Sequence, residues 1–312
     1  MGYNPDFIAG HKVPLPTPGR RLLTNAFGGG FIDHTRHSLL FNESRGLAYV
    51  TAHNVDGALL PGTQLTSRNF KFDPEIDEDL QIGNEQGYKD VPDLYQRGHL
   101  ARRASLSWGS TDSEIEAAKQ AERESDYYSN IAPQDRRMHV AWGKVEDWML
   151  ERAKSQNSGQ RACVFQGPVF SEDDPEITMT EGFDPVKIPA GYWKIMAISR
   201  GGILRAAGFL IWQRDYASPE PLSFDPVLEQ VRLTTIEVLS GLQFQNLRQA
   251  DAMIYSTEIG DAWSTSHEEN TSMFGRMRQM TKTSMPGWAK SMFRQTNSAR
   301  PSYISGPDDI II

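Results

Sequence analysis

The most constraining feature of this chain is a set of apolar runs, each of strand length and each bounded by turn-forming or charged residues. Ser38–Phe41 and Leu47–Ala52 flank the turn-like residues 42–46, a pattern that predicts a β-hairpin. Three later runs either alternate in polarity or are continuously apolar, as the strands of a buried core are. These runs are Arg161–Val169, Tyr192–Ser199 and Gly202–Trp212. The chain is therefore expected to bury a β-sheet.

One segment has the spacing of an amphipathic helix. Over Asp135–Ala153, the side chains His139, Trp142, Glu146 and Met149 recur at intervals of three and four residues. Because residues at these intervals are neighbours on a helix surface, the spacing places all four side chains on one face. The imidazole and the carboxylate on that face could both reach one bound ion.

Two further helices are predicted. Ser113–Ser125 has helical composition, and Ser113 followed three residues later by Glu116 fits a capping box. Thr234–Gly241 is predicted to be a short helix closed by Gly241, because glycine readily adopts the left-handed backbone that ends many helices.

Three regions differ in composition along the 312 residues. Residues 1–30 are rich in Pro and Gly and predict an extended N-terminal arm, while residues 31–255 form the main domain, with a polar surface excursion over 54–95. Residues 256–312 predict a tail, in which Thr271–Pro307 contains six Lys or Arg residues and no Asp or Glu. This basic tail, which also contains Met and aromatic residues, either docks on a partner, a membrane surface or nucleic acid, or packs on its own domain.

The composition is that of an ordinary soluble globular protein, with 38% hydrophobic and 23% charged residues. No apolar run approaches the roughly 18 residues that indicate a membrane-spanning helix. The single cysteine, Cys163, excludes an internal disulfide and lies in an apolar run, so a buried thiol is expected. The N-terminus has no apolar signal segment, which predicts a cytoplasmic location and leaves export by a signal-less route open.

The net charge of −8 argues against bulk electrostatic attraction to nucleic acid, so the local distribution of charge matters more. Arginines cluster beside two of the histidines. Arg97, Arg102 and Arg103 flank His99, and Arg136 and Arg137 precede His139. If both segments converge, they form one basic cleft on an acidic protein. The alternative is that three of these five arginines only solvate helix and loop surfaces.

The motif that indicates chemistry is Arg97-Gly98-His99, followed later by Ser129–Gln134 and then by His139 and Glu146. A site that cleaves a phosphodiester with one metal needs a base for water, a ligand for a divalent cation and cationic donors for the phosphate oxygens. An imidazole with the ordinary histidine pKa of about 6.5 is a suitable base at neutral pH. His99 is therefore the candidate general base.

These motifs, in this order, resemble those of the DNA/RNA non-specific endonucleases, the family of Serratia nuclease and endonuclease G. Further segments are similar to landmarks of that family and occur in family order: Thr66–Pro74, Gln166–Phe170, Ile188–Lys194 and Thr234–Leu242. The resemblance spans about residues 31–250. It implies an α+β fold, with a central, mostly antiparallel β-sheet, flanking helices and a ββα-metal finger.

The resemblance also implies roles for individual residues. His99 would be the general base, while Arg97 and Arg68 would contact the phosphate and stabilise its transition state. His139 stands where the family has the Asn that binds magnesium directly, and Glu146 would hold waters of the metal. The implied cofactor is one Mg²⁺ or Mn²⁺ ion per site.

The chain departs from the family pattern at two positions. Gln96 replaces the usual Asp before the Arg-Gly-His motif; it can hydrogen-bond but carries no charge. His139 replaces the Asn that binds the metal, and imidazole suits Mn²⁺ better than it suits hard Mg²⁺. Counting back from Trp142 would instead put Met138, a poor ligand, at the metal position.

Neighbouring residues are expected to support the motifs. Gly98 would allow a close backbone approach at a turn, since it has no side chain. Asn130 would fix the loop before the long helix, and Pro133 suits the first turn of that helix.

The implied activity is hydrolysis of DNA or RNA phosphodiesters with little sequence preference, leaving 5′-phosphate ends. Arg102, Arg103, Arg136 and Arg137 would bind substrate phosphates. The expected partners are nucleic acid, a second copy of the chain and an inhibitor protein. Two alternatives stay open: a nucleic-acid-binding or scaffold protein whose site has decayed, and a phosphodiesterase for small nucleotides or lipids, which needs a closed pocket.

Overall fold

The computed structural model describes residues 1–89, 95–154, 160–213, 228–254 and 302–303. Its α-helices are α1 (Arg20–Leu23), α2 (Asn84–Gly87), α3 (Arg103–Leu106), α4 (Asp112–Ser125), α5 (Arg136–Lys154) and α6 (Leu233–Ser240). Its strands are β1 (Thr17–Pro18), β2 (Ile32–His34), β3 (His37–Asn42), β4 (Leu47–Asp56), β5 (Tyr95–His99), β6 (Ile131–Asp135), β7 (Arg161–Val169), β8 (Glu176–Ile177), β9 (Val186–Lys187), β10 (Gly191–Arg200), β11 (Ile203–Trp212), β12 (Leu228–Val231), β13 (Leu242–Gln243) and β14 (Ser302–Tyr303). Short 3₁₀ helices lie at Phe27–Gly29, Glu78–Leu80, Tyr128–Asn130 and Gln245–Ala250.

The centre of the fold is an eight-stranded antiparallel sheet in the order β14-β12-β11-β10-β7-β4-β3-β2. The predicted hairpin is confirmed as β3 and β4, and the three predicted core strands are confirmed as β7, β10 and β11. The α+β fold implied by the resemblance is thus present, with a large antiparallel sheet and flanking helices.

Both faces of the sheet are buried. Along β10, Tyr192 and Met196 belong to one apolar cluster, while Trp193 and Ile195 belong to a second cluster on the opposite face. Successive side chains of a strand point to opposite faces, so a strand covered on both sides is apolar at nearly every position. The first cluster includes residues of β5, β6 and α5, and the second includes residues of α6 and the N-terminal segment. The helix α5 is therefore held against one face of the sheet.

The predicted helices are present, with one correction at the start of α4. Its N-cap is Thr111, whose hydroxyl accepts a hydrogen bond from the Glu114 amide while the Glu114 carboxylate accepts one from the Thr111 amide. The capping box thus begins two residues before the predicted Ser113, because Thr111 satisfies the same free amides. Helix α6 ends at Gly241 with φ of 71°, as expected.

The polar stretch over residues 54–95 is not wholly a surface excursion. Ile76, Ile82 and Tyr88 are buried in the apolar cluster that contains α5. Gln81 ties the segment together, since its amide donates to the carbonyl oxygens of Asp73 and Ile76. These isolated apolar residues therefore anchor the polar stretch to the core. The average composition of residues 54–95 does not reveal such contacts.

The N-terminal segment lies against the second cluster, where Tyr3, Phe7 and Val13 are buried, and β1 pairs with β13. Cys163 is buried, as predicted. The predicted docking tail lies outside the described residues except for β14, which pairs with Glu229 and Gln230 at the edge of the sheet. In the part of the chain that the structure describes, no helix is both long enough and apolar enough to span a bilayer.

Candidate active site

The candidate site is built on β5, β6 and α5. Strand β5 ends at His99 and pairs antiparallel with β6, which continues directly into α5. The pair is not a tight hairpin, because residues 100–130 between the strands include α3 and α4. Pro133 lies within β6 opposite Arg97, so the expectation that it begins the helix was wrong. Its missing amide hydrogen is tolerated there because β5 and β6 form a separate two-stranded sheet with open edges.

His99 is held by its backbone and by one ring nitrogen. Gln166 Nε2 donates a hydrogen bond of 3.1 Å to the His99 carbonyl oxygen. The ring Nε2 lies 3.0 Å from Asp126 Oδ1, and the side chain is 11% exposed. Phe70 lies beside the imidazole, with 5.5 Å between the ring centroids. The other ring nitrogen, Nδ1, is therefore the one that can serve water at the surface.

Asp126 is a site residue that the sequence motifs did not reveal. Its buried carboxylate also receives Arg103 Nη1 at 2.6 Å and the Asn69 amide at 2.8 Å. Burial raises the pKa of Asp126, but the hydrogen bonds from His99 and Asn69 and the charge of Arg103 outweigh burial and leave that pKa below its ordinary value. Only a short acidic run before the Ser129 motif could have signalled it, since Glu122, Glu124 and Asp126 all occur there.

The structure corrects the expectation that Arg103 contacts substrate. The Arg103 side chain is 2% exposed, and its guanidinium lies between the carboxylates of Asp126 and Glu122, with Nη2 3.0 Å from Glu122 Oε2. Burying a guanidinium requires such paired carboxylates, because an unpaired buried charge is costly. Arg103 therefore connects the end of α4 to the histidine site from inside the fold.

The side chain of Asn130 connects two backbone segments near His99. Its Oδ1 accepts the Ala101 amide at 2.8 Å, and its Nδ2 donates to the carbonyl oxygens of Ala101 and Ser125. The side chain is fully buried, so these bonds satisfy both of its polar ends. Asn130 thereby ties the chain after His99 to the end of α4.

His139 lies on the first turns of α5 and is oriented by Gln134. The ring Nδ1–H donates to Gln134 Oε1 at 2.7 Å, which leaves Nε2 for another ligand. The neighbouring Met138 is fully buried in the core, whereas His139 is partly exposed. The alignment that would put Met138 at the metal position is thus disfavoured, because that side chain packs away from the site.

Glu146 lies two helical turns after His139 on α5 and has two basic partners. Lys194 Nζ donates to Glu146 Oε1, and Arg102 Nε lies 3.5 Å from Oε2. Burial lowers the pKa of Lys194, and the Glu146 carboxylate opposes that shift. Lys194 also lies 4.9 Å from the ring centroid of Trp142, which is buried in the core. The position of Glu146 is thus set by β10 as well as by α5.

Charged residues from other segments of the chain act on His139. Burial lowers the pKa of His139, Glu146 opposes this effect, and the charges of His99, Arg68 and Arg102 lower the pKa further. A charge acts on a titrating group in this way only when it is near. Residues from separate segments of the chain therefore surround a single site.

The other predicted arginines are more peripheral. Arg97 is exposed on β5, donates to Asn84 Oδ1 at 3.0 Å and lies 4.4 Å above the Phe70 ring. Arg136 is exposed at the start of α5, and Arg137 Nε lies 3.5 Å from Asp135 Oδ1.

Gln96 does not face His99. It pairs with Gln134 across the strands, and alternation along β5 places its side chain on the opposite face from Arg97 and His99. The amide at position 96 and the imidazole at position 99 therefore have different neighbours.

The donors present fit a hydrated cation better than a closed metal cage. Among the described residues, no three His, Cys, Asp or Glu side chains converge as ligands. The site offers Nε2 of His139 and, two helical turns along α5, the Glu146 carboxylate. Such a donor set suits an ion with one direct protein ligand and several waters, which is how small divalent cations are often held.

The antiparallel sheet and its surface site define an α+β protein in which two histidines and a glutamate lie among arginines. The sequence model of the family described as DNA/RNA non-specific endonuclease matches residues 19–251. The chain therefore belongs to the DNA/RNA non-specific endonuclease family, as its motifs indicated.

The chain is also similar to two individual proteins. An uncharacterized protein y4fB of Sinorhizobium fredii (strain NBRC 101917 / NGR234) is 32% identical over 242 residues, which is 72% of this chain and 34% of that protein. The chain thus spans about a third of the length of this relative. A crystal structure of the EndoG/EndoGI complex contains a chain with a TM-score of 0.51 and 20% identity, covering 72% of this chain and 89% of that one. The family model thus shows the family, and the solved structure shows the fold.

Proposed function

We propose that this protein is a divalent-metal-dependent endonuclease, acting on DNA, RNA or both and leaving 5′-phosphate ends. The observation that carries the proposal is that His99 acts electrostatically on His139, so the two imidazoles belong to one site. In each ring one nitrogen is bound by a carboxylate or amide oxygen, so the other nitrogen is available. One imidazole is thereby suited to accept a proton and the other to bind a cation.

In the proposed reaction, His99 removes a proton from the attacking water through Nδ1. The oxygen of that water forms a bond to phosphorus as the bond from phosphorus to the 3′ oxygen breaks. A positioned base of this kind contributes roughly 10²- to 10⁴-fold to the rate. Asp126 stays ionised beside the ring and stabilises the imidazolium that forms.

Positive charge at the site would stabilise the pentacoordinate phosphate. We assign this role to two exposed arginines. The charge of Arg68 acts on His139, and Arg97 lies over the Phe70 ring, which is next to the His99 imidazole. When bound, a Mg²⁺ or Mn²⁺ ion supplies further charge to the phosphate and the departing oxygen. His139 would hold that ion directly and Glu146 through water, in a ββα-metal finger formed by β5, β6 and α5.

The remaining arginines favour binding without sequence preference. Arg102, Arg136 and Arg137 lie at or near the surface of the same unit, where they would meet backbone phosphates. Phosphate contacts position a nucleic acid but carry no information about base sequence. Because the similar structure is described as a mechanism of EndoG inhibition, we also propose that an inhibitor protein restrains this chain.

The small-nucleotide alternative needs a closed pocket. In the described parts of the chain, a cavity of about 20 Å³ borders the site and is lined by residues that include His53, Glu146 and Lys194. That space suits about one water molecule, whereas small-molecule pockets usually measure roughly 300–1,000 Å³. An extended substrate that lies across the surface fits these dimensions better.

The test is digestion of supercoiled plasmid and of RNA by the purified chain in Mg²⁺, in Mn²⁺ and in EDTA. We expect cleavage with a metal and none in EDTA. His99→Ala should lower kcat by roughly 10²- to 10⁴-fold. The matched control is His11→Ala, because His11 bonds to Ser199 and takes no part in the site. Absence of metal-dependent cleavage by the wild type would instead support a decayed, binding-only protein.

A further inference from the structure

We infer that Asp126 is a positioning residue that sets the tautomer of His99, and that Arg103 holds Asp126 in the orientation needed for this. The inference rests on the proposed function, because it assigns a part within general-base chemistry. It goes beyond the motifs, in which neither residue has this role.

The two oxygens of Asp126 have separate partners. Oδ1 faces His99 Nε2 at 3.0 Å, while Oδ2 accepts Arg103 Nη1 at 2.6 Å and the Asn69 amide at 2.8 Å. Asp126 is fully buried, so water does not compete for these contacts. A rotation that swapped the oxygens would break hydrogen bonds to charged or backbone donors, which are expensive to lose when buried.

Arg103 is itself held on several sides. It donates to the Glu122 carbonyl oxygen and carboxylate, and it contacts the hydroxyl and carbonyl oxygens of Thr66. Glu122 is in turn fixed by Ser107 Oγ at 2.6 Å and by the Thr66 amide at 2.8 Å. The carboxylate that faces His99 thus belongs to a buried network that extends back into α4, and not to a mobile surface side chain.

A carboxylate in this position determines which ring nitrogen carries the proton. An ionised Asp only accepts hydrogen bonds, and neutral imidazole has a single N–H, so that proton must be on Nε2. The lone pair then lies on Nδ1. When Nδ1 takes a proton from water, the ring becomes an imidazolium next to the Asp126 carboxylate, which keeps its charge and does not take the proton.

The substitution Asp126→Asn should reverse this arrangement. Because Arg103 and the Asn69 amide both donate to the Oδ2 position, the amide oxygen of Asn is expected to occupy it. Its NH₂ group would then face His99 and donate to Nε2. The lone pair would move to Nε2 and the proton to Nδ1, the nitrogen that must act as the base.

The experiment reads the tautomer directly by ¹⁵N NMR of the imidazole ring at about pH 8, above the ordinary histidine pKa. We expect the Nε2–H form in the wild type and the Nδ1–H form in Asp126→Asn. Steady-state cleavage should show kcat lowered by about 10²- to 10⁴-fold with KM unchanged, since Asp126 is buried and touches no substrate.

The matched control is Asp73→Asn. Asp73 forms another buried pair with a histidine, since its Oδ2 lies 2.8 Å from His34 Nε2. Asp73→Asn therefore changes a comparable buried pair, at a similar cost in stability, without altering His99. Its kcat per folded molecule should stay near the wild-type value.

The wild-type spectrum needs no variant, so it tests the inference even if Asp126→Asn does not fold. A wild-type His99 in the Nδ1–H form would overturn the inference. An unchanged tautomer and kcat in Asp126→Asn would also overturn it. Failure of the proposed function has a different signature, because a wild type that cleaves neither DNA nor RNA would still give a readable tautomer.

Discussion

Gly98 and Gln134 lie so close that a Cβ atom at residue 98 would be 2.0 Å from Cδ of Gln134. The Gln134 side chain crosses the strand at this point and accepts the Nδ1–H of His139. The motif predicted that Gly98 lies in a turn, but the structure places it within strand β5. The glycine therefore leaves room for the side chain that orients His139.

Gly98→Ala is predicted to disturb His139 through Gln134. The added methyl group must displace Gln134, so the ring of His139 loses its acceptor. We expect a higher metal concentration for half-maximal cleavage, and a loss of stability of about 1–3 kcal/mol from overpacking. The measurements are a metal titration of activity and a denaturant unfolding curve.

The control is Gly143→Ala on α5, where an added Cβ meets nothing within 4 Å. It should leave metal dependence unchanged and stabilise the helix slightly, since Ala is the better helix former. Equal behaviour of the two variants would contradict the role assigned to Gly98.

The metal preference should depend on residue 139. An imidazole ligand gains on later transition ions, whereas a carboxamide oxygen suits Mg²⁺. We therefore expect His139→Asn to raise activity in Mg²⁺ relative to Mn²⁺, and His139→Ala to weaken the binding of both ions. The measurement is cleavage against each metal concentration, with binding by calorimetry.

Val140→Ala is the control for His139→Ala, because Val140 is next in sequence, is 59% exposed and belongs to the same helix. If His139→Ala kept the wild-type metal dependence, His139 would not be the ligand.

Buried histidines should make the fold sensitive to acid. Burial and the neighbouring His34 lower the pKa of His37 to about 3. Between that value and the ordinary histidine pKa of about 6.5, the unfolded chain binds a proton that the folded chain excludes. The free energy of unfolding should therefore fall as the pH falls through this window, by at most about 1.4 kcal/mol per pH unit for this group.

His37→Leu removes the titrating group and should flatten the pH dependence of unfolding over that window. Denaturant unfolding at a series of pH values provides the measurement. Thr51→Val, at a buried residue that has no titrating group, is the comparison and should keep the wild-type slope. Identical slopes in wild type and His37→Leu would show that His37 does not contribute.

Truncation before Thr271 is predicted to leave an active enzyme of lower stability. The candidate site uses residues between Arg68 and Lys194, so cleavage should persist. The truncation removes Ser302–Tyr303, which pair with Glu229 and Gln230 at the sheet edge. Losing one or two backbone hydrogen bonds should cost about 1–2 kcal/mol.

A thermal unfolding curve and the plasmid assay measure the two effects separately. An insoluble or inactive product would mean that the tail completes the core, and not that it is a dispensable docking element.

Local pattern in the sequence was sufficient for most of the central sheet and for the three longest helices, α4, α5 and α6. The strands β3, β4, β7, β10 and β11 follow from apolar runs, and α5 follows from the spacing of its apolar and polar faces. These signals are short-range, because a strand or helix shows its buried face within a few residues. The order of the motifs likewise determined the family.

Tertiary structure alone decided which side chains meet at the site. Asp126 reaches His99 across 27 residues, and Lys194 reaches Glu146 across 48. The same packing buried Arg103, which the sequence presents as one more arginine beside a histidine. Whether a charged group faces solvent, substrate or a buried carboxylate depends on what the folded chain places around it, and no local pattern encodes that surrounding.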